Sequence, residues 1–373
     1  MLRGARTDAS TRMASAWRRA GDRAAPGAAR GSRRRALESS VAGAVALLAL
    51  RAATGRGPTA RAQEIASPPS SSAPAPVRSS SGGTTRVAMR HVDFHVADGV
   101  VLHVRRLDGE MHGVKDGIVD FDDPRSYETT IVSGEVALGG RDLTALMNDH
   151  VFAYRGAPLT HLHVELRDGL VRQTGTLHKG VDIPFELDAE PSLTPDGRIR
   201  LHPKRIRIFH VNGAALMRAL GLSLQKMVDL SKAHGVAVDG NDLLLDATAV
   251  LPPPAIHGRL TSIRVVGDAL VQQFGTAADS AAAAARPLAL PDPSAANYMY
   301  YRGGTLHFGK LFMVDAEMLV VDTDPRDAFD FDNPHYERQL VAGSSRTLPD
   351  LGLEVWMPDA RALSTGAKAA LRR

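Results

Sequence analysis

The sequence predicts an α+β protein in which antiparallel β-sheet dominates and two amphipathic helices, one short and one long, cover an apolar face of the sheet. Three observations predict this class. Between residues 86 and 275, apolar and polar residues alternate over many short runs. Pairs such as Asp-Gly separate these runs, as expected for hairpin turns. Only two stretches have the residue spacing of an α-helix instead.

The clearest predicted strand covers residues 160–167, where apolar and polar side chains alternate and therefore point to opposite faces. Asp168-Gly169 then supplies the tight turn of a hairpin, and residues 170–178 form the return strand. The same alternation continues in further runs as far as residue 208. A meander of this kind has one apolar face and one polar face.

Two stretches have apolar residues three or four positions apart, as amphipathic helices do. The short helix is predicted to begin behind Asp142 as N-cap, with a stripe made of Leu143, Leu146, Met147, His150 and Val151. The long helix is predicted to begin at Asn212 and to stop at Gly235, with a stripe made of Leu216, Met217, Leu220, Leu224, Met227 and Val228. Each stripe is suited to packing on the apolar face of the sheet.

The positive charge of the chain is concentrated in its first 62 residues. They hold 13 of the 45 basic residues and 3 of the 41 acidic ones, so the remainder has 32 basic against 38 acidic residues, a net −6. A mildly acidic chain lacks the basic surface that nucleic-acid binding requires. We therefore expect no nucleic-acid partner.

The same N-terminal segment has the pattern of an export signal, residues 1–62. Basic residues precede the apolar run Val41–Leu50, and Ala60-Arg61-Ala62 forms a small-x-small cleavage site before Gln63. The apolar run is shorter than the roughly 20 residues of a membrane span. Ser32-Arg33-Arg34-Arg35-Ala36-Leu37 resembles a twin-arginine export signal. We expect a periplasmic or secreted protein, with an uncleaved membrane anchor as the alternative.

Composition divides the rest of the chain. Residues 63–85 are rich in Ser, Pro and Ala and predict a disordered linker. Residues 86–275 form the β-rich part with both helices. Residues 276–297 are rich in Ala and Pro and predict a second linker. Residues 298–359 are strand-like again, and residues 360–373 form a tail.

The C-terminal strand segment echoes residues 92–134. The matching pieces, in the same order, are Leu102-His103-Val104 with Leu306-His307-Phe308, Asp120-Phe121-Asp122-Asp123-Pro124 with Asp330-Phe331-Asp332-Asn333-Pro334, and Tyr127-Glu128 with Tyr336-Glu337. This predicts an internal repeat of about 40 residues. The alternative is a chance similarity between two strand–turn–strand units.

The sequence has few features of an enzyme. It has no cysteine, no Gly-x-Ser-x-Gly elbow, no phosphate loop and no dinucleotide fingerprint. His161 and His163 have the spacing of a metal-binding pair, but they lie on the polar side of their strand. We therefore expect no catalytic residues, no cofactor and no enzyme activity.

Two aspartate clusters contain the carboxylates that a calcium site requires. They comprise Asp116, Asp120, Asp122 and Asp123, and Asp322, Asp324, Asp327, Asp330 and Asp332. Aligned on an EF-hand loop that starts at Asp322, Asp327 stands where glycine is required and Asn333 where glutamate is required. Turn formation ahead of Pro124 and Pro334 explains both clusters, so no metal site is predicted.

The order of elements from Gly134 to Gly275 carries a family resemblance. The strand Val136-Ala137-Leu138 leads into the short helix, and a second strand follows at residues 196–201. The long helix, the polar run Asp239-Gly240-Asn241-Asp242 and a hairpin after Pro252-Pro253-Pro254 complete it. This order resembles the LmeA-type periplasmic phospholipid-binding proteins and, more broadly, the tubular lipid-binding (TULIP-like) architecture. The resemblance implies a curved antiparallel sheet wrapping both helices, with acyl chains held between sheet and helix; the segment from Tyr298 onward lies outside it.

Together these features predict an exported cell-envelope protein that binds a lipid or another apolar small molecule, with the membrane surface as a further possible partner. The residues expected to line the ligand are Leu143, Leu146, Met147, Leu216, Met217, Leu220, Leu224 and Met227. The alternative is a structural or adaptor protein of the envelope whose apolar surface is a closed core without ligand. Leucine and methionine stripes suit either outcome.

The export route can be tested with an Arg33→Lys, Arg34→Lys double substitution. A twin-arginine receptor reads the guanidinium pair, so the double variant should accumulate in the cytoplasm while the wild-type chain is exported. Fractionation followed by intact-mass measurement checks both this result and cleavage before Gln63. Normal export of the variant would assign the chain to the general secretory route.

Overall fold

Alternation of apolar and polar side chains along the sequence gives a protein built mainly from β-strands. The structure is a computed structural model, and it describes residues 83–208, 211–212 and 224–363, all of which belong to one compact unit, Ser72–Arg373. Of the described residues, 53% lie in strands and 14% in helices. The predicted dominance of antiparallel sheet is confirmed.

The strands of the described residues are numbered in chain order. They are β1 (Thr84–Ala97), β2 (Val100–Gly113), β3 (Ile118–Asp120), β4 (Tyr127–Gly139), β5 (Leu159–Arg167), β6 (Leu170–His178), β7 (Asp182–Leu193), β8 (Ile199–Ile208), β9 (Val211–Asn212), β10 (Val236–Asp239), β11 (Asp242–Leu245), β12 (Ala255–Gly258), β13 (Leu260–Val266), β14 (Ala269–Phe274), β15 (Tyr298–Arg302), β16 (Thr305–Phe308), β17 (Leu311–Val314), β18 (Glu317–Asp322), β19 (Phe329–Asp332), β20 (Ser344–Thr347) and β21 (Leu353–Met357).

The helical elements of the described residues are short. They are α1 (Gly140–Ala145), a π-helical turn (Leu146–Val151) that continues it, α2 (Leu224–Met227), α3 (Ala277–Ala285), a 3-10 turn (Asn333–His335) and α4 (Glu337–Ala342). The described chain ends in a helical turn at residues 360–363. No helix among the described residues is long and apolar enough to cross a bilayer.

The first sheet is built around the long hairpin of β1 and β2. Its strand order is β13-β14-β4-β2-β1-β15-β18-β21-β20, with β12 beside β4 and β19 beside β1. β15 pairs antiparallel with the start of β1, and β19 pairs parallel with its end. The C-terminal strand segment is therefore part of the same sheet as the N-terminal hairpin.

The centre of this sheet is buried on both faces. Val92 and Phe94 of β1 belong to the main hydrophobic core on one face. Tyr300 of β15 and Leu319 of β18 belong to a smaller cluster on the other face, where Trp356 packs against them. Residues 276–297, predicted as a linker, instead contain α3, whose first turn Thr276 and Asp279 cap reciprocally.

The second sheet has seven strands and is the predicted meander. Its order is β10-β11-β8-β7-β6-β5, with β9 beside β8. On its polar face Asp188, which is 2% exposed, accepts hydrogen bonds from Arg172 and Arg205 of the two neighbouring strands. The alternation predicted apolar and polar faces for these strands, and the structure has both.

The short helix connects the two sheets by satisfying the free edge of β5. The Asn148 side chain donates to the carbonyl oxygen of Leu162 at 2.8 Å and accepts from its N–H at 3.0 Å. The Thr144 hydroxyl accepts from the N–H of Val164 at 2.9 Å. These side chains give the strand edge the partners that another strand would otherwise supply.

Both helix predictions need correction. Asp142 is not the N-cap. The N-cap is Gly139, three residues earlier, and Asp142 lies in the first turn with its carboxylate accepting from the N–H of Gly139. The sequence predicts a long helix from Asn212 to about Gly235. Asn212 instead belongs to β9, and the only described helix of that stretch, α2, ends at Met227; residues 213–223 lie outside the described residues.

The two segments of the predicted repeat form partly different elements, and the repeat itself stays a prediction. Leu102-His103-Val104 lies in β2 and Leu306-His307-Phe308 lies in β16, and both runs are strands with alternating burial. The correspondence ends after the aspartate-rich turns, because Tyr127 opens strand β4 whereas Glu337 opens helix α4. β16 also pairs in parallel with β3, inside a small third sheet of order β17-β16-β3.

His103 joins three elements around the first sheet. Its Nδ1 lies 2.8 Å from Asp93 of β1, and its Nε2 lies 3.5 Å from Asp142 of α1. The hydrogen bonds to Asp142 and Asp93 outweigh burial and raise the pKa of His103 to about 10. The imidazolium form therefore holds the helix against the hairpin at neutral pH.

A pH series can test this interaction. The folded-state pKa of His103 lies above its ordinary value of 6.5, so its contribution to stability is complete below pH 6.5 and is lost as pH rises toward about 10. The difference in free energy of unfolding between wild type and His103→Gln should shrink steadily from pH 6 to pH 10. Urea denaturation at each pH measures it; a difference that stays constant across this range would contradict the assignment.

Candidate ligand-binding site

The apolar face of the second sheet is assembled by the register of its strands. Leu187 of β7 pairs with Ile206 of β8, and Phe185 pairs with Ile208. On the other side Phe185 pairs with Gly175 of β6. A Cβ at that glycine would stand 3.1 Å from the Phe185 ring, so the glycine lets the ring lie across the neighbouring strand.

An apolar cavity lies over this face. Its volume is about 70 Å3. The lining side chains come from the sheet and from the segment that begins at α2, and they are Leu159, Gln173, Leu177, Ile183, Phe185, Leu187, Ile206, Ile208, Leu224, Val228, Leu230, Val238 and Leu243. Among the described residues Gln173 is the one polar member of this lining, so the cavity suits hydrocarbon and not a polar guest.

A larger and more polar cleft adjoins the cavity. Its volume is about 760 Å3, and it shares Val228, Leu230 and Val238 with the cavity. Its other lining residues are Tyr154, Gly156, Pro158, His178, Lys179, Gln225, Asp229, Ser231, Lys232, Ala233, Val236 and Ala237. The apolar cavity and the polar cleft thus have three lining residues in common.

Two polar side chains of the cleft, those of His178 and Tyr154, differ in their hydrogen bonding. His178 contacts Asp182 through Nδ1 at 2.5 Å and Thr160 through Nε2 at 2.7 Å. Burial, and then the charge of Asp229, raise the pKa of Tyr154, and its buried hydroxyl has no partner within the described part of the chain. That hydroxyl can donate a hydrogen bond to a polar guest in the cleft.

A second apolar cavity lies under the first sheet. It has a volume of about 60 Å3 and is enclosed between β1, β2, β4, β14 and the segment 247–256. Met89, Phe94, Phe121 and Phe274 are among its lining residues. A cleft of about 420 Å3 has one lining residue, Val104, in common with this cavity.

The volumes decide what each space can hold. Binding sites for small molecules are typically about 300–1,000 Å3. The two enclosed apolar cavities are well below this range, whereas the cleft of the second sheet lies within it. An amphipathic molecule could place its polar end and part of its chain in the cleft, and only a short apolar portion in the present cavity.

The residues predicted to line a ligand are spread over different environments. Leu224 lines the cavity of the second sheet. Leu146 and Met147 are 1% and 8% exposed in the main core, Leu143 packs against that core, and none of the three lines a described cavity. Met227 ends α2. Leu216, Met217 and Leu220 lie outside the described residues, so their role stays a prediction.

The histidine pair and the aspartate clusters have structural surroundings. A β-bulge falls between Thr160 and His163, and His161 and His163 are both solvent-exposed, as the polar-face interpretation requires. Asp120 accepts from the N–H of Asp122, and Asp322 accepts from the N–H of Asp324. Both bonds are of the kind expected in turns, whereas Asp330 and Asp332 of the second cluster lie in strand β19.

Sequence reasoning does not find most of the cavity. For Ile183, Phe185, Ile206 and Ile208 it indicates only apolar positions of strands, and it gives no signal for Tyr154. Alternation identifies which face these side chains occupy, but it carries no information on what packs above that face. The cleft depends on the course of residues 225–238, where the sequence predicts a helix as far as Gly235 but the helix ends at Met227.

Comparison of the chain with protein-family models, with curated proteins and with solved structures gives no match. The fold and the cavities described above are therefore the basis of the functional argument.

The assignment of the short helix to the core can be tested at Leu146. Leu146→Ala should lower the free energy of unfolding by about 2–5 kcal/mol, because it removes a fully buried side chain. Lipid uptake at equal amounts of folded protein should not change. Leu351→Ala is the control, since Leu351 is 85% exposed and its removal should cost less than about 0.5 kcal/mol. Lost uptake with unchanged stability in Leu146→Ala would instead place this helix at the ligand.

Proposed function

We propose that this protein is an exported, non-enzymatic protein of the cell envelope that binds a lipid or another apolar molecule with a polar end. The proposal is based on the lining residues that the apolar cavity and the polar cleft of the second sheet have in common. Val228, Leu230 and Val238 line both spaces. One guest could therefore contact hydrocarbon on one side and hydrogen-bonding groups on the other.

The polar groups of the cleft suit a head group better than a reaction. Lys232 and Asp229 supply opposite charges on a solvent-exposed segment, and Tyr154 supplies a buried hydroxyl. Binding a polar end requires donors and acceptors of this kind. The resemblance to LmeA-type and TULIP-like proteins points to the same class of ligand.

The location proposed for this activity is the periplasm or the exterior of the cell. It rests on the basic, apolar and small-residue segments of residues 1–62, which lie outside the described residues. A membrane surface would be the donor or acceptor of the lipid. The acidic balance of the chain after residue 62 argues against nucleic acid as a partner.

One observation favours a second function. In it the protein is a structural or adaptor protein with a closed core. The apolar cavities measure only about 70 and 60 Å3, so little free space lies between the described side chains that line them. A lipid carrier of this shape must widen the cavity when the ligand enters. A structural protein needs no such change.

The two functions can be separated by filling the cavity. Ile183 lines it at the start of β7, and Ile183→Trp places an indole where an acyl chain would lie. If the space is adaptable, the free energy of unfolding should change by less than about 1.5 kcal/mol and uptake of a fluorescent phospholipid should be lost. Overpacking of a closed core should cost about 1–3 kcal/mol or more.

The matched control is Val266→Trp, which adds the same side chain at a residue that is 52% exposed. It should retain both stability and uptake. Native mass spectrometry and organic extraction of the wild-type protein provide an independent readout of carried lipid. A wild-type protein that neither carries nor takes up lipid, with Ile183→Trp strongly destabilised, would reject the lipid-binding function in favour of the structural one.

A further inference from the structure

Three potential metal ligands meet on the third sheet, outside the cavity and cleft described above. Asp120 ends β3, Asp122 follows it in the turn, and His307 lies in β16. One ligand atom from each of the three side chains lies within 4.8 Å of the other two. The grouping joins residues that are 187 positions apart in sequence, and no spacing in the sequence indicates it.

Backbone pairing fixes the position of these groups. β3 and β16 run parallel, with His307 directly opposite Asp120, and the N–H of Phe121 donates to the carbonyl oxygen of His307 at 3.0 Å. The Asp120 carboxylate also accepts from the N–H of Asp122 at 3.0 Å, which orients the turn. The three side chains are thus held by strand and turn geometry and not by surface side-chain contacts alone.

The distances fit a shared divalent ion. Nδ1 of His307 and Oδ1 of Asp120 are 2.9 Å apart. Ligands at about 2.0–2.2 Å from one metal ion are separated by roughly 3 Å or somewhat more, so the pair already has the separation of two adjacent ligands. Two carboxylates balance the charge of a divalent cation, and solvent could complete the coordination.

Residues around Asp120, Asp122 and His307 orient the proposed ligand side chains. The Tyr336 hydroxyl donates to Asp122 and accepts from the N–H of Gly309 at 2.5 Å, so one ligand carboxylate is itself hydrogen-bonded. The Phe312 ring is a tilted neighbour of the His307 ring, at a centroid distance of 6.2 Å. Hydrogen-bonded ligands beside apolar groups are typical of metal sites in proteins.

Aromatic packing anchors the turn that carries the two aspartates. The Phe121 ring, between Asp120 and Asp122 in sequence, stacks on the Tyr127 ring at a centroid distance of 5.4 Å, and both residues are 2% exposed. The turn is therefore attached to the core next to the two carboxylates.

We infer that Asp120, Asp122 and His307 form a binding site for a divalent transition-metal ion of the zinc or manganese type. An imidazole nitrogen favours such ions over calcium, which takes oxygen ligands. The site ties the turn after β3 to the C-terminal strand β16. It is independent of the proposed lipid binding.

The test is titration of the full chain, freed of metal by chelation and dialysis, with ZnCl2 in a calorimeter. The wild-type protein should bind about one zinc ion at this site, and bound Co2+ should show the absorption of nitrogen and oxygen ligation. His307→Gln and Asp122→Asn should each weaken zinc binding more than about tenfold. Far-ultraviolet circular dichroism and thermal melting confirm that each variant is folded.

The matched control is His103→Gln, which removes a histidine that also lies between two aspartates, Asp93 and Asp142, but in a different part of the fold. It should leave zinc binding unchanged. No zinc binding by the wild-type protein, or equal binding by wild type and His307→Gln, would overturn the site. Displacement of zinc by equimolar CaCl2 would overturn the assignment of the metal class.

Discussion

Backbone hydrogen bonding along β1 is the constraint on which the rest of the fold depends. β1 pairs with β2 on one edge, and on the other edge with β15 and then with β19. Because both edges are taken, the N-terminal hairpin and the C-terminal strands form a single sheet and share one core. Val92, at the middle of β1, is completely buried as a result. Two strands pair with the same edge of β1 at different positions. β15 pairs antiparallel with its first residues, and β19 pairs parallel with its last residues.

Contacts between histidine and aspartate connect segments that the sheet brings together. His95 of β1 lies 2.5 Å from Asp330, a residue 235 positions away, and His307 lies 2.9 Å from Asp120. His103 is placed between Asp93 and Asp142 within the N-terminal half. Asp330 is largely buried; although burial opposes its ionisation, His95 and the N–H of Arg361 lower its pKa. Because the carboxylate partners raise the pKa of His95 and of His103, pH is a natural variable for the stability of the first sheet.

The second sheet follows a different principle, because only one of its faces is apolar. Charged side chains such as Arg172 and Asp188 pair on the other face, where they keep the sheet in contact with solvent on one side. The apolar face requires a cover, and the segment from α2 to β10 supplies one among the described residues, leaving a narrow cavity. A well-packed cover gives a rigid core, and an adaptable cover gives a binding site; the same apolar surface can support either outcome. The proposed lipid-binding function depends on how easily this cover moves.

The sequence alone determined the strand pattern, the apolar and polar faces of the meander and the turn role of part of each aspartate cluster. Each depends on interactions between residues close in sequence, such as the alternation in β5 or the bond from the N–H of Asp122 to Asp120. The tertiary structure decided which strands share a sheet and which apolar residues are core. Leu146 and Leu224 have equivalent places in their helical patterns, yet one is buried in the main core and the other lines the cavity. The cavity, the cleft and the grouping of Asp120, Asp122 and His307 arise from contacts between distant segments, for which periodicity and spacing provide no signal.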